Sequence, residues 1–586
     1  MPREDSPIPT LSLATLALGA SGAGFLLLCR VSAQPLPWAA QAGLAIGMVG
    51  ALLVLGLIAT FLTRGQRPPG ALTIATLVAA AAVFVSAMAY QFVEFLRLPV
   101  DLLSFSESPF INDILKWRSG LPVYTAPTDN NSYPYTPGAP ILTYTIATLF
   151  GQGDSIPFLR MVQFSYVVLA SVVAMCITDV LARLMLPATA YRHRGLWLTF
   201  GVLFALLAAT DSRFNPYVHS LHNDGLALLL SACAYWTMAR HALTRRAWLV
   251  IAMAVLPALG FLVKQNQLMW AGAGFFYLVA IGRVPVRQLV LYLVVSGVAI
   301  GTAVGLCYWQ WGDNFIWWVF VGLGSKEVAL SRSVLHLLEA GAYGSMALFA
   351  AYVLVLRDVT RPAVVLWLTW ACIFALEVYT SGVAWVTNHL GPGVLLAGCW
   401  FVVAMVAVWP QAGSRGDWRA PLRQATAAAM AVLWLAALGF VREPRHPIPR
   451  DFARYVSEIE REFEGQPSSR ILMDLGTWIY YRENVLMKDR SGPVSLHAGK
   501  NQPDINRAEL ADTIARIERR AYDKILARQI DTDQSAYDFQ DRGSGVKTAI
   551  LANYHEVGRI AAVRGITAWW PLHMVSEIIV LERNAD

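Results

Sequence analysis

The stretch DLLSFSESPFINDILKWRSGLPVYTAPTDNNSYPYTPGAPILTY, residues 101–144, decides how the chain is read. It is the longest polar interruption in the first 440 residues, which are otherwise a succession of hydrophobic runs. Ser108 is suited to cap a helix, Pro109 to begin it and Gly120 to stop it. Between them Phe110, Ile111, Ile114 and Leu115 fall on one face, and Asn112, Asp113 and Lys116 on the other. That pattern predicts a short amphipathic helix lying in a membrane interface, anchored by Trp117. A lone carboxylate, Glu107, precedes the helix. The turn-rich NNSYP and the rigid Tyr133-Pro134-Tyr135-Thr136-Pro137 follow it. We read the loop as a site held at a membrane surface.

The chain on either side fixes the class. A content of 56% hydrophobic and 15% charged residues, with mean hydropathy +0.48, excludes a soluble enzyme. Runs near the roughly 20 residues that cross a bilayer recur from residue 10 to residue 441. They fall near 10–30, 39–63, 71–96, 138–182 (broken around Gly151–Ile156), 195–210, 222–239, 247–263, 267–282, 288–312, 338–356, 363–381, 390–409 and 421–441. Basic residues occupy alternate connections: Arg64 and Arg67; Arg183, Arg192 and Arg194; Arg240, Arg245 and Arg246. Arg283 and Arg287, Arg357 and Arg361, then Arg415, Arg419 and Arg423 continue the series. The positive-inside rule places these in the cytoplasm. Residues 97–137, 211–221, the tip at Lys264-Gln265-Asn266, 313–337, 382–389 and everything after 442 then lie outside.

The expected fold is a polytopic α-helical membrane protein of about 13 spans over residues 1–442. An extracytoplasmic soluble α/β domain over 443–586 completes it, joined by the Pro-rich EPRHPIP at 443–449. In that domain helical periodicity at Phe452–Phe463, 507–522 and 544–555 alternates with strand-like runs at Ile471–Leu475, Lys524–Gln529, Arg559–Val563 and Glu577–Leu581. The first hydrophobic run reads as a retained signal anchor in the plasma (inner) membrane. All six cysteines lie in hydrophobic segments without a C-x-x-C and read as core residues. The net charge of +7 follows from the topology and carries no nucleic-acid signal.

The outer connections collect polar residues that spanning alone does not require. Asp211, Ser212, Arg213, Asn215, His219, His222, Asn223 and Asp224 crowd one turn. Asn223 or Asp224 is also a natural helix cap, so capping and a site role stand side by side. Lys264, at the tip of GFLVKQNQLMW, either snorkels or contacts a phosphate. Lys326, Glu327, Arg332 and His336 occupy another outer loop, where a solvated face competes with phosphate clamping by Arg332 or Lys326. Asn388 and His389 precede a span as a polar pair. No H-E-x-x-H or comparable ligand spacing argues for zinc, which leaves the metal question open. Glu107 is placed either to complement a helix dipole or to act as an acid or base.

Together these features resemble the GT-C superfamily of integral-membrane, lipid-linked-sugar glycosyltransferases. The resemblance lies in the loop SESPFINDILKWRSGLPVY followed by YPYTP, the acid of HND at 222–224, FLVKQN, and the soluble segment ILMDLGTWIYYRENVLMKDR. Each motif is loose, but together they cover essentially the whole chain. Ser106-Glu107 stands where many members carry Asp or Asp-Glu, leaving Glu107, Asp101 and Asp113 open as the base. The resemblance implies transfer of a sugar from a polyprenyl-phosphate donor to a hydroxyl of a glycan, lipid or protein acceptor. It implies Glu107 as general base with Asp224 and Asp113 as further acids, and Lys264, Arg332, Asn388 and His389 on the donor phosphate. Tyr133, Tyr135, His222 and Asn223 would bind substrate, and a divalent cation has a place in the scheme. The chemistry agrees with one carboxylate and some cations, since a phosphate-linked leaving group needs no protonation. A lipid or solute transporter, or a polysaccharide ligase or polymerase using a diphosphate-linked donor, are the competing readings.

Overall fold

The computed structural model describes residues 96–102, 107–129, 132–186, 205, 208–211, 214–215, 217–322, 324, 328–356, 360–383, 387–408, 451–473, 476–486, 508, 510–528, 545–563 and 577–585. The expected spans at 10–30, 39–63 and 421–441, and most of 71–96 and 195–210, lie outside the described residues. So do Ser106, Ser212, Arg213, Lys326 and Glu327.

The organising loop begins with helix α1, Glu107–Arg118. Gly120 ends it in the left-handed region (φ +68°), where a side chain is disfavoured, and Leu121 N–H closes the turn onto Lys116 O at 2.9 Å. Helices α2 (Gly138–Leu149) and α3 (Ile156–Met185) follow, broken where the sequence predicts. Ser155 Oγ caps α3 by accepting the Phe158 N–H, and Pro157 occupies the first turn. The remaining helices are α4 (Asp224–Thr244), α5 (Ala247–Val263), α6 (Met269–Ile281), α7 (Val286–Ile316), α8 (Leu330–Glu339), α9 (Gly341–Leu356), α10 (Arg361–Ser381) and α11 (Gly391–Val408).

Among the described residues, 4 helices are long and apolar enough to cross a membrane, or 5 if the bent pair around α8 and α9 counts as one. On α7 the side chains of Val290, Leu293, Val294, Val298 and Leu306 are exposed, a stripe that needs an apolar surrounding. The inner faces bury bonded polar groups: Trp400 Nε1–H donates to Tyr235 OH, which donates to Leu366 O, both at 2.9 Å. Arg183, Arg240 and Arg246 meet around one cavity of about 410 Å³. This cavity lies at the end of α4 opposite Asp224. Arg361 at the start of α10 reaches Ala280 O near the end of α6.

The C-terminal region carries α12 (Phe452–Glu462), β1 (Ile471–Met473), α13 (Trp478–Glu483), α14 (Ala511–Glu518), β2 (Lys524–Arg528), α15 (Val546–Asn553), β3 (Tyr554–Ile560) and β4 (Ile578–Arg583). The sheet order is β1-β2-β4-β3; β1 and β2 are parallel, and the other pairs antiparallel, with an irregularity at Glu556/Gly558. β3 begins five residues before the expected 559, because Tyr554 already pairs with Arg583.

The helix α1 departs from expectation. Its apolar residues Phe110, Ile111, Ile114 and Leu115 share one core with Trp478, Tyr480 and Tyr481 of the C-terminal region. Its polar face is buried too, with Asn112, Asp113 and Lys116 at 3% exposure or less. An interfacial helix would leave one side in water; this one is enclosed, and only Trp117 near its end is appreciably exposed. The enclosure is clamped by polar contacts. Asp101 accepts the N–H groups of Thr477 (2.7 and 2.8 Å) and Trp478 (3.0 Å) at the start of α13. Arg118 donates to Asp154 (2.6 Å), Asn484 (3.0 Å) and Tyr481 O, and Tyr481 OH donates to Gly153 O at 2.5 Å.

Candidate functional site

Four of the acids in and beside the loop have different fates. Asp101 spends both oxygens on the backbone of α13, which makes it a docking group. Glu107 has no exposed surface. Arg160 of α3 grips it with two parallel bonds, Nε–Oε1 and Nη2–Oε2, each 2.7 Å, and Leu221 N–H donates to Oε1 at 2.8 Å. Burial pushes this carboxyl up, and the guanidinium and the Leu221 amide draw it back toward the ionised form. Arg160 also donates to Leu98 O and Val100 O at 2.6 Å. The pair thus ties α1, α3 and the entry to the loop into one unit. The expectation that Glu107 is the base meets this geometry: both oxygens are committed and the group is enclosed.

Asp113 differs. It is 2% exposed, and its Oδ1 has no hydrogen-bond partner among the described residues. The nearby Lys116 directs its ammonium to Val123 O at 2.8 Å. Burial, only partly offset by the Lys116 charge, pushes the Asp113 carboxyl up to about 7. A carboxyl of that kind takes and gives protons near neutrality.

Asp224, at the first turn of α4, is the centre of a second cluster. Lys264 Nζ donates to Oδ1 at 2.7 Å and Asn388 Nδ2 to Oδ2 at 2.8 Å. His222 Nδ1 lies 3.1 Å from Oδ2. All four side chains are buried. Asn223 is close by, its Nδ2 donating to Val263 O at 3.2 Å. The YPYTP segment holds this cluster to the loop. Thr136 Oγ1 donates to Phe261 O at 2.6 Å, and Gln265 Nε2 donates to Pro134 O at 2.5 Å. Gly138 lets α2 start against the end of α5, because a Cβ there would sit 2.4 Å from the backbone oxygen of Leu262. Lys264 is thereby fixed 5.9 Å from the centre of the Tyr135 ring.

An aromatic layer separates the two clusters. Tyr133 packs on Tyr135 (5.0 Å) and Phe110 (5.2 Å), Phe110 on His222 (5.0 Å), and His222 stacks on Tyr217 (4.0 Å, 19°). The Tyr133 hydroxyl feels both Asp113 and Asp224, and burial above all raises its pKa.

The structure therefore gathers Asp224, Lys264, Asn388, His222 and Asn223, with Tyr133 and Tyr135 as the wall toward Asp113. His389 lines the same cavity as Asp224 and Lys264. Arg332 lies on α8, with its Nη1 3.5 Å from Gly382 O. A divalent cation does not fit beside Asp224, because the carboxylate already faces an ammonium at 2.7 Å and an amide donor at 2.8 Å. Among the described residues no group of three His, Cys, Asp or Glu forms a metal site elsewhere.

Two buried charges escaped the reading of the sequence. Arg160 sits in IPFLRMVQ and Glu377 in IFALEVYT, each a single charge inside an apolar run, which is itself a signal of a partner within the bundle. Glu377 accepts the Gly393 N–H at 2.9 Å and so caps α11.

No family model and no curated protein matches the chain. Among solved structures it is similar to the oligosaccharyltransferase of Archaeoglobus fulgidus in the apo form, at 12% identity and TM-score 0.46 over 76% of this chain and 69% of that one. It is also similar to ArnT from Cupriavidus metallidurans in the apo state, at 16% identity and TM-score 0.43 over 80% and 84%. The same ArnT bound to undecaprenyl phosphate matches at 14% identity and TM-score 0.40.

Proposed function

We propose that this protein is an integral-membrane glycosyltransferase. It moves a sugar from a polyprenyl-phosphate donor to a hydroxyl of a glycan, lipid or protein acceptor on the extracytoplasmic face, with inversion. One observation carries the reading. A buried carboxylate with an uncommitted oxygen, Asp113, and a buried ammonium, Lys264, lie on two sides of one tyrosine pair at the same end of the bundle. The alternating arginines put that end outside, with about 13 spans and the soluble domain from residue 443 on the same side.

In the reaction the acceptor oxygen forms a bond to the anomeric carbon. The bond from that carbon to the phosphate oxygen breaks, and polyprenyl phosphate leaves with the electron pair. Asp113 receives the acceptor proton, a task suited to a carboxyl held near neutrality. Lys264 stabilises the charge that builds on the departing phosphate. A single displacement assisted by one base inverts the anomeric centre, whereas retention needs a second carboxylate as nucleophile. Glu107 is then a positioning group, holding α1 through Arg160 at the height where Asp113 faces the acceptor. Tyr133, Tyr135 and the His222 ring form the wall of the substrate path.

The test is turnover by the purified protein in lipid nanodiscs, given polyprenyl phosphates carrying radiolabelled sugars and a membrane extract as acceptor source. Labelled acceptor and free polyprenyl phosphate should appear together, and Lys264→Ala should lower the rate by roughly 10²-fold or more. Absence of turnover with every donor, together with movement of lipid-linked sugars or solutes across proteoliposomes, would establish a transporter instead.

A further inference from the structure

At the end of α4 opposite Asp224, the last turns of α3 and α4 and the start of α5 surround the cavity of about 410 Å³. That volume suits a small polar headgroup. Helical spacing builds it. On α3, Cys176, Asp179 and Arg183 follow at three and four residues, and on α4 Trp236, Arg240 and Thr244 follow at four, so each set shares one face. Arg245 then stands in the left-handed region (φ 55°), and its N–H closes on His241 O at 2.8 Å. This tight turn carries the chain into α5 and brings Arg246 and Trp248 to the same cavity.

Three guanidiniums here meet one carboxylate. Asp179 answers Arg183, Oδ2 to Nη2 at 2.9 Å. Among the described residues no carboxylate pairs with Arg240 or Arg246. The lining thus holds two positive charges in excess, three arginines against one aspartate. A phosphate answers such a set best, because guanidinium presents parallel N–H donors that match its oxygens. The surroundings separate a lipid phosphate from a free one. Met175, Val180, Trp236, Trp248 and Leu249 form an apolar side of the cavity. The α3 face that ends in Arg183 runs back through Val172 and Leu169, both exposed, and Ile251, one turn on from Trp248, is exposed on α5. Leu169 to Arg183 spans roughly 20 Å at 1.5 Å per residue, about one leaflet of a bilayer. A soluble anion would use only the basic end; a lipid uses both. A choline headgroup would bring a quaternary ammonium into the surplus positive charge.

We propose that the cavity bounded by Arg183, Arg240 and Arg246 seats the phosphate of an anionic phospholipid, whose acyl chains lie along the exposed apolar faces of α3 and α5. The alternating arginines make this a lipid of the cytoplasmic leaflet. The site stands whichever reaction the opposite end of the bundle performs.

Native mass spectrometry of the full chain, released from detergent micelles doped with phosphatidylglycerol or phosphatidylcholine, reads the retained lipid. One phosphatidylglycerol should bind about 10-fold or more tighter than phosphatidylcholine. Arg240→Gln combined with Arg246→Gln should bring the two lipids within a few-fold of each other. Arg283→Gln combined with Arg287→Gln removes two charges outside the cavity and should leave the preference intact. Soluble glycerol 1-phosphate should displace the lipid only at roughly 100-fold higher concentration or more, because it lacks the chains. Equal retention of the two lipids by the unmodified protein overturns the proposal. So does a preference that survives the Arg240 and Arg246 substitutions, or that falls equally with those at Arg283 and Arg287. Glycerol phosphate binding as tightly as phosphatidylglycerol overturns the lipid assignment in favour of a free-phosphate site. Arg246 is exposed, so Arg246→Gln alone, which should lose part of the preference, decides the question if the double substitution fails to fold.

Discussion

Replacing Asp113 by Asn should abolish turnover and stabilise the protein at the same time. The carboxyl rises from an ordinary 3.8 to about 7 on folding. In the window between those values the native state keeps a proton that the unfolded chain has lost. Stability therefore falls as pH rises from about 4 through about 7. Three pH units correspond to about 4 kcal/mol of ionisation cost at pH 8, as an order of magnitude. An amide in the same place carries no such cost and offers an NH₂ of nearly the same shape. Asp113→Asn should thus unfold at higher temperature than the unmodified protein at pH 8, and the gap should close toward pH 4. The transfer rate should fall by ~10²–10⁴-fold, the usual worth of a positioned base. In the unmodified protein the rate should climb with pH through about 7 to a plateau, because only the deprotonated form accepts the acceptor proton. Turnover by purified Asp113→Asn within a few-fold of normal, or a pH profile flat from 5 to 9, would refute the assignment.

The other substitutions separate positioning from chemistry. Glu107→Gln leaves the Arg160 guanidinium buried without its countercharge and should cost about 3–5 kcal/mol in detergent unfolding measurements. A double substitution of Glu107 and Arg160 by Gln and Met should recover part of that loss, and loss of turnover without loss of stability in Glu107→Gln would return the base role to Glu107. Asp101→Ala removes the acceptor for the Thr477 and Trp478 amides; limited proteolysis should then release the C-terminal region faster, with Asp101→Asn intermediate.

Much of this protein was legible in its sequence because the signals are local. Apolar runs bounded by Gly, Pro and Arg mark helices such as α5, expected at 247–263 and found at Ala247–Val263. A breaker such as Gly151-Gln152-Gly153 interrupts a helix whatever surrounds it, and α2 and α3 part there. The strand-like runs of the C-terminal region became strands for the same reason, β-type residues between turns. Which acid is free was not local at all. Asp101, Glu107 and Asp113 lie within 13 residues and look alike in the string. They differ because Thr477 and Trp478 take the first, Arg160 and Leu221 take the second, and the third keeps its Oδ1 without a hydrogen-bond partner among the described residues. These partners come from as far as 377 positions away. The burial of α1 on both faces has the same origin: periodicity marks an apolar stripe but cannot say whether lipid or a distant domain covers it. The sequence settles where charges occur; only the tertiary structure settles which of them are already paired, and an unpaired carboxylate is what a base requires.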